Sequence, residues 1–99
     1  MFEIVFTHNA QKELDRLQSF PQNTGLVKQL KKTIGFLQTN LRHPSLQTHI
    51  FHSMKNPYNP REKVFEAYVQ QHTPAAYRLF WCYGPQNGQI TVIALTLHP

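Results

Sequence analysis

The spacing of apolar positions changes along the chain and marks out successive elements. Residues 2–6, with Phe2, Ile4, Val5 and Phe6, form a short β-prone run. Thr7, His8 and Asn9 then offer N-cap side chains before Ala10, Leu14 and Leu17, which recur at i, i+4 and i+7 and so share one helical face. Residues 20–25 break that pattern with Pro21 and Gly25, after which Leu26, Leu30, Ile34 and Leu37 mark a second amphipathic helix carrying Lys28, Lys31 and Lys32 on its other side. Two helices joined by so short a break are expected to pack as an antiparallel hairpin.

Residues 41–60 are irregular, with Pro44, Pro57 and Pro60 and three histidines, His43, His49 and His52; a weak strand signal runs over residues 48–51. Residues 63–70 carry the β-prone Val64, Phe65, Tyr68 and Val69. Residues 77–83 alternate Tyr77, Leu79, Trp81 and Tyr83 with Arg78, Phe80 and Cys82. Residues 84–88 hold Gly84, Pro85, Asn87 and Gly88, a hairpin turn in which Asn-Gly suits positive φ, and residues 90–97 supply the returning strand. The expected order is β-α-α-loop-β-β-β, an α+β fold with a mainly antiparallel sheet covered on one face by the helical hairpin, because neither layer can bury its apolar side alone. The opposite face is expected to remain open to a ligand.

With 99 residues the chain has room for one small domain, spanning residues 1–99, and 40% apolar against 15% charged residues suits a globular chain rather than a disordered one. No apolar run approaches the roughly 20 residues that span a bilayer. The early acid Glu3 and the absence of a basic lead and apolar core argue against a signal peptide, so a cytoplasmic protein with no membrane partner is expected. The single cysteine, Cys82, cannot form an internal disulfide, which suits a reducing compartment. Ten Lys and Arg against five Asp and Glu give +5 and a pI near 9.7, which favours an acidic partner, nucleic acid first.

The basic helical hairpin, the segment Leu41-Arg42-His43-Pro44-Ser45-Leu46-Gln47-Thr48-His49, and above all Val64-Phe65-Glu66-Ala67-Tyr68-Val69 followed by Ala76-Tyr77-Arg78-Leu79-Phe80-Trp81 resemble the RelE/ParE toxin superfamily of bacterial type II toxin–antitoxin systems. The likeness in element order runs from Phe2 to His98. It implies a toxin neutralised by a cognate antitoxin protein. RelE-like members cleave mRNA, usually on the ribosome and without a metal, whereas ParE-like members inhibit DNA gyrase. An endoribonuclease, or mRNA interferase, is the leading expectation. A gyrase inhibitor and a catalytically silent antitoxin-binding member are the alternatives.

Metal-free RNA cleavage needs a base for the 2′-hydroxyl proton, an acid for the leaving 5′-oxygen and cations at the phosphate. The resemblance places a phosphate-binding arginine at Arg78, whose planar fork suits phosphate. It also places an acid or base at His98, near the end of the last strand, and allows Glu66 as a base, as in some relatives. Lysines common in RelE-like nucleases are absent from the inner strand positions, where Phe65, Glu66 and Ala67 stand instead. Arg61 and Lys63 are candidate RNA contacts, and Tyr83, near its strand end, is the aromatic best placed to reach a ligand. If Tyr83 faces Gln89 and Arg78 faces Ala94, then Arg78, Phe80, Ala94, Thr96 and His98 share a face; a one-residue slip would set Arg78 among Ile93, Leu95 and Leu97, a poor place for an unpaired arginine. His49 and His52 lack a complete zinc ligand set at familiar spacing, so no metal or cofactor is expected.

Overall fold

A computed structural model describes residues 1–70 and 76–97. Strand β1 (Glu3–Phe6) leads into α1 (His8–Gln18), a short 3-10 turn (Pro21–Asn23) and α2 (Thr24–Thr39). A second 3-10 turn (Pro44–Leu46) precedes β2 (His49–Ile50), β3 (Phe65–Tyr68), β4 (Tyr77–Tyr83) and β5 (Gln89–Leu97). The five strands form one mixed sheet in the order β1-β5-β4-β3-β2. β1 runs parallel to β5, and the remaining neighbours are antiparallel.

Both helices bury the faces that their spacing marks. Ala10 and Leu17 of α1 and Leu30 and Leu37 of α2 are buried against Ala67, Leu79, Trp81, Ile90, Val92 and Leu95, with Leu14, Leu26 and Ile34 half-buried around them. Lys28, Lys31 and Lys32 stay exposed. At the start of α1 the Thr7 hydroxyl accepts from the Ala10 N–H at 3.1 Å, which satisfies a donor that the first turn leaves free. Glu13 and Arg16 of α1 form a fork pair at 2.8 Å, and the buried Tyr77 hydroxyl donates to Glu13 at 3.0 Å, tying the helix to the start of β4.

The β4–β5 register differs from the expected one and still sets Arg78, Phe80, Ala94 and Thr96 on one face, while His98, the fifth member expected there, lies outside the described residues. Near the turn Tyr83 faces Ile90 and Trp81 faces Val92, one residue away from the expected alignment; a bulge then leaves Ile93 unpaired, so that Phe80 faces Ala94 and Arg78 faces Thr96. A bulge inserts one residue and reverses the side-chain parity beyond it. Without it Arg78 would lie across from Leu95. Thr7 sits beside the inserted residue: its N–H donates to the Val92 carbonyl at 3.1 Å and its hydroxyl to the Ile93 carbonyl at 2.6 Å. At the turn itself, Gly84 and Gly88 take the positive φ values, 112° and 80°.

The face away from the helices is only partly open, in contrast to the expectation from the sequence. Phe80 and Cys82 are buried there because the Pro-rich loop folds over them: the Phe51 ring lies 4.7 Å from Phe80, and the Tyr58 hydroxyl shares a 2.9 Å hydrogen bond with Thr91, the partner of Cys82. Apolar side chains on that face need a cover, and the loop supplies one. Burial pushes the Cys82 thiol up to about 11.

Candidate functional site

A cluster of polar and aromatic side chains lies on that face where β2, β3 and β4 meet, with His49 exposed and Glu66 and Arg78 buried. His49 of β2 pairs with Glu66 of β3, and Tyr68 of β3 pairs with Arg78 of β4, so the antiparallel register brings all four side chains to the same side. The His49 Nε2 lies 2.5 Å from Glu66 Oε1, and its Nδ1 lies 3.1 Å from the Gln47 carbonyl. Both ring nitrogens therefore lie against oxygen atoms of the protein. Gln47 reaches this position in the left-handed region, at φ 45°.

Arg78 lies deeper. Its side chain is 9% exposed and that of Glu66 8%, and Arg78 Nε stands 3.7 Å from Glu66 Oε2, an ion pair too long to be a hydrogen bond. The guanidinium carbon sits 3.7 Å above the centre of the Tyr68 ring, within cation–π distance. Nε and Nη1 are buried with no hydrogen-bond partner among the described residues. A buried donor left unmade costs about 1–3 kcal/mol, and more for a charged group. An oxyanion arriving from the open side is the kind of partner that completes such a fork.

Of the residues expected from the sequence, Arg78 and Glu66 are thus brought together. His98 lies outside the described residues. Tyr83, five residues along β4 from Arg78 and of opposite parity, points to the helix side at the far end of the strand, about 17 Å away at 3.4 Å per residue. Its ring is exposed and packs edge-on against Phe65 and Trp81. Lys63 and Arg61 are exposed near that end, so the structure does not assemble them with Arg78. Two members of the cluster, His49 and Tyr68, are not among the site residues expected from the sequence; Tyr68 enters through its pairing with Arg78, and His49 carries still less signal. Its only local signal is a histidine in a weak β-prone stretch, and its meaning comes from pairing with Glu66, seventeen positions later.

No protein-family model matches the chain, and no curated protein matches its sequence. Solved structures do match over essentially the whole chain. A YoeB/ParE toxin from Agrobacterium tumefaciens superposes with a TM-score of 0.68 at 10% identity, covering 99% of this chain and 100% of its own. The archaeal RelE–RelB complex from Pyrococcus horikoshii gives 0.65 at 11% identity, over 97% of this chain and 93% of the other. The YoeB–YefM complex from Staphylococcus aureus gives 0.65 at 13% identity, over 100% and 99%. At these identities what is shared is the three-dimensional arrangement: an N-terminal strand, a helical hairpin and a mixed sheet in one α+β layer pair. The chain has the fold of the RelE and YoeB/ParE toxins.

Proposed function

We propose that this protein is the toxin of a type II toxin–antitoxin pair and that it cleaves mRNA as a metal-independent endoribonuclease, on the ribosome or off it, held inactive by a cognate antitoxin. The observation that carries the reading is the Arg78 guanidinium, buried beside Glu66 with two nitrogens lacking acceptors among the described residues. Whole-length likeness to toxins solved with their antitoxins, as in the RelE–RelB and YoeB–YefM complexes, supports the toxin role and the partner.

The residues divide the chemistry in the following way. Arg78 binds a non-bridging phosphate oxygen and stabilises the charge that grows there during attack. Glu66 takes the 2′-hydroxyl proton on Oε2, the oxygen that makes no hydrogen bond among the described residues, while His49 holds Oε1 and fixes the carboxylate. The 2′-oxygen forms its bond to phosphorus as the bond to the 5′-oxygen breaks, leaving a 2′,3′-cyclic phosphate and a 5′-hydroxyl. His98 donates the proton that the 5′-oxygen receives.

The test is cleavage of ribosome-bound and free mRNA by purified protein freed of its antitoxin. Wild type is expected to cut in the presence of EDTA, with Arg78→Ala slower by about 10²–10³-fold and Glu66→Gln and His98→Ala slower by about 10²–10⁴-fold. All three variants should still bind the antitoxin. Intact messages together with blocked DNA supercoiling would reassign the protein to the gyrase inhibitors, and intact messages with normal supercoiling would make it a silent antitoxin-binding member.

A further inference from the structure

We propose that the far end of the sheet carries a second subsite, separate from Arg78, at which one unpaired base of a single-stranded RNA stacks on Tyr83 while Lys63 and Arg61 contact its backbone phosphates. The choice of RNA as the ligand rests on the nuclease reading above; the geometry of the patch does not.

Tyr83 is 51% exposed, yet its ring is held from three sides. Trp81 meets it edge-on at 5.1 Å, Phe65 edge-on at 5.9 Å and Phe2 tilted at 5.9 Å. An aromatic face that is wet on one side and braced on the other loses little side-chain entropy when a base stacks on it. Beside it opens a cavity of about 340 Å³ lined by Asn56, Glu62, Lys63, Phe65 and Tyr83.

Lys63 lines this cavity, and Arg61 lies two residues before it in a loop whose backbone is tied by its own hydrogen bonds. Asn56 is buried; its side-chain oxygen accepts from the Tyr58 and Asn59 N–H groups, and its amide donates to the Lys63 carbonyl at 3.2 Å. Asn59 in turn accepts from the Arg61 N–H at 3.0 Å and the Glu62 N–H at 3.0 Å. The loop is also pinned to the sheet through Tyr58 and Thr91. Arg61 and Lys63 are exposed and enter no ion pair among the described residues.

Glu62 separates the two polyanions that a basic protein could take here. Its carboxylate lines the cavity next to Lys63, where it accepts a hydrogen bond from the exocyclic amine of a base, a donor that an acidic side chain lacks. A stacking ring, two cations and one acceptor are the inventory of a nucleotide subsite rather than of an acidic-protein contact.

The experiment measures binding of a fluorescein-labelled single-stranded RNA whose 2′-oxygens are methylated, so that no cleavage occurs and affinity is read apart from chemistry. Loss of one stacked base corresponds to about 1–3 kcal/mol, so Tyr83→Ala is expected to bind about 5- to 100-fold more weakly, while Tyr83→Trp stays within about twofold of wild type. Lys63→Ala should lower the slope of log affinity against log salt by about one. Thermal unfolding of Tyr83→Ala near that of wild type shows that the effect is local, and Tyr83→Trp retains the ring if it is not. Equal RNA affinity of wild type and Tyr83→Ala overturns the subsite. So does a Tyr83→Ala loss confined to a poly-glutamate probe, which reassigns the patch to an acidic protein. A Tyr83-dependent affinity in a protein that cleaves no RNA keeps the subsite and removes the nuclease.

Discussion

Replacing Thr7 by valine removes one hydroxyl and keeps the shape, and the structure assigns two hydrogen bonds to that hydroxyl. One caps the first turn of α1, where loss of a threonine cap costs about 1 kcal/mol. The other satisfies the Ile93 carbonyl at the β5 bulge, and an orphaned, partly buried acceptor costs about 1–3 kcal/mol. The sum is about 2–4 kcal/mol, which for a domain of this size lowers the melting temperature by roughly 10–30 °C. Thr7→Ser keeps both bonds and should lose well under half as much. Urea unfolding of the three proteins measures this directly. Because the bulge sets the parity of β5 beyond Ile93, Thr7→Val should also disturb the Arg78–Thr96 pairing, visible as altered amide exchange at those two residues while Trp81 and Val92 remain protected. If Thr7→Val unfolds within about 0.5 kcal/mol of wild type, or Thr7→Ser is as unstable as Thr7→Val, the hydroxyl does not hold the bulge.

Arg16, through hydrogen bond and charge, holds the Glu13 carboxyl below its ordinary range, with Tyr77 adding to it. A depressed folded-state value stabilises the protein above the ordinary carboxylate range and is lost as pH falls through it. The urea-midpoint difference between wild type and Glu13→Gln should therefore be present at neutral pH and shrink in acid; a gap that grows in acid contradicts the pairing. Cys82, buried with its thiol raised to about 11, should resist a thiol reagent at neutral pH in the native protein and react at once in denaturant; rapid native labelling would show that the loop does not cover it. Tyr58→Phe deletes the bond between the loop and Thr91 and should cost about 1 kcal/mol by urea unfolding. It should also speed Cys82 labelling, and unchanged labelling would free the loop from any covering role.

Most of the layer structure is legible in local pattern. The alternation of residues 77–83 matches β4 end to end, and the i, i+4, i+7 spacing of Ala10, Leu14 and Leu17 matches the buried side of α1. An unpaired arginine among leucines is costly whatever the hairpin register, and Arg78 does lie on the face away from Leu79 and Leu95. The bulge carries no such local signal, because the Ile93 carbonyl is met by Thr7, 86 positions away. His49 escapes for a similar reason, since a two-residue strand carries almost no periodic signal and its partner is fixed by the sheet. The cover over Phe80 and Cys82 comes from a Pro-rich segment whose polar, irregular composition gives no sign of which side it packs on. The lack of acceptors for Arg78 Nε and Nη1 among the described residues is a property of packing around the side chain, and no spacing rule encodes it.

The proposed role of Arg78 is that of an anion clamp whose Nε and Nη1, without acceptors among the described residues, take a phosphate oxygen. Its most direct test is the ¹⁵N–¹H signal of Arg78 Nε while a single-stranded RNA carrying one 2′-deoxy nucleotide at the cleavage position is added. Binding of the scissile phosphate predicts that this signal moves and saturates together with the RNA, with Arg78→Lys losing most of the affinity. An Arg78 Nε signal that stays in place while the RNA saturates the protein would contradict the account.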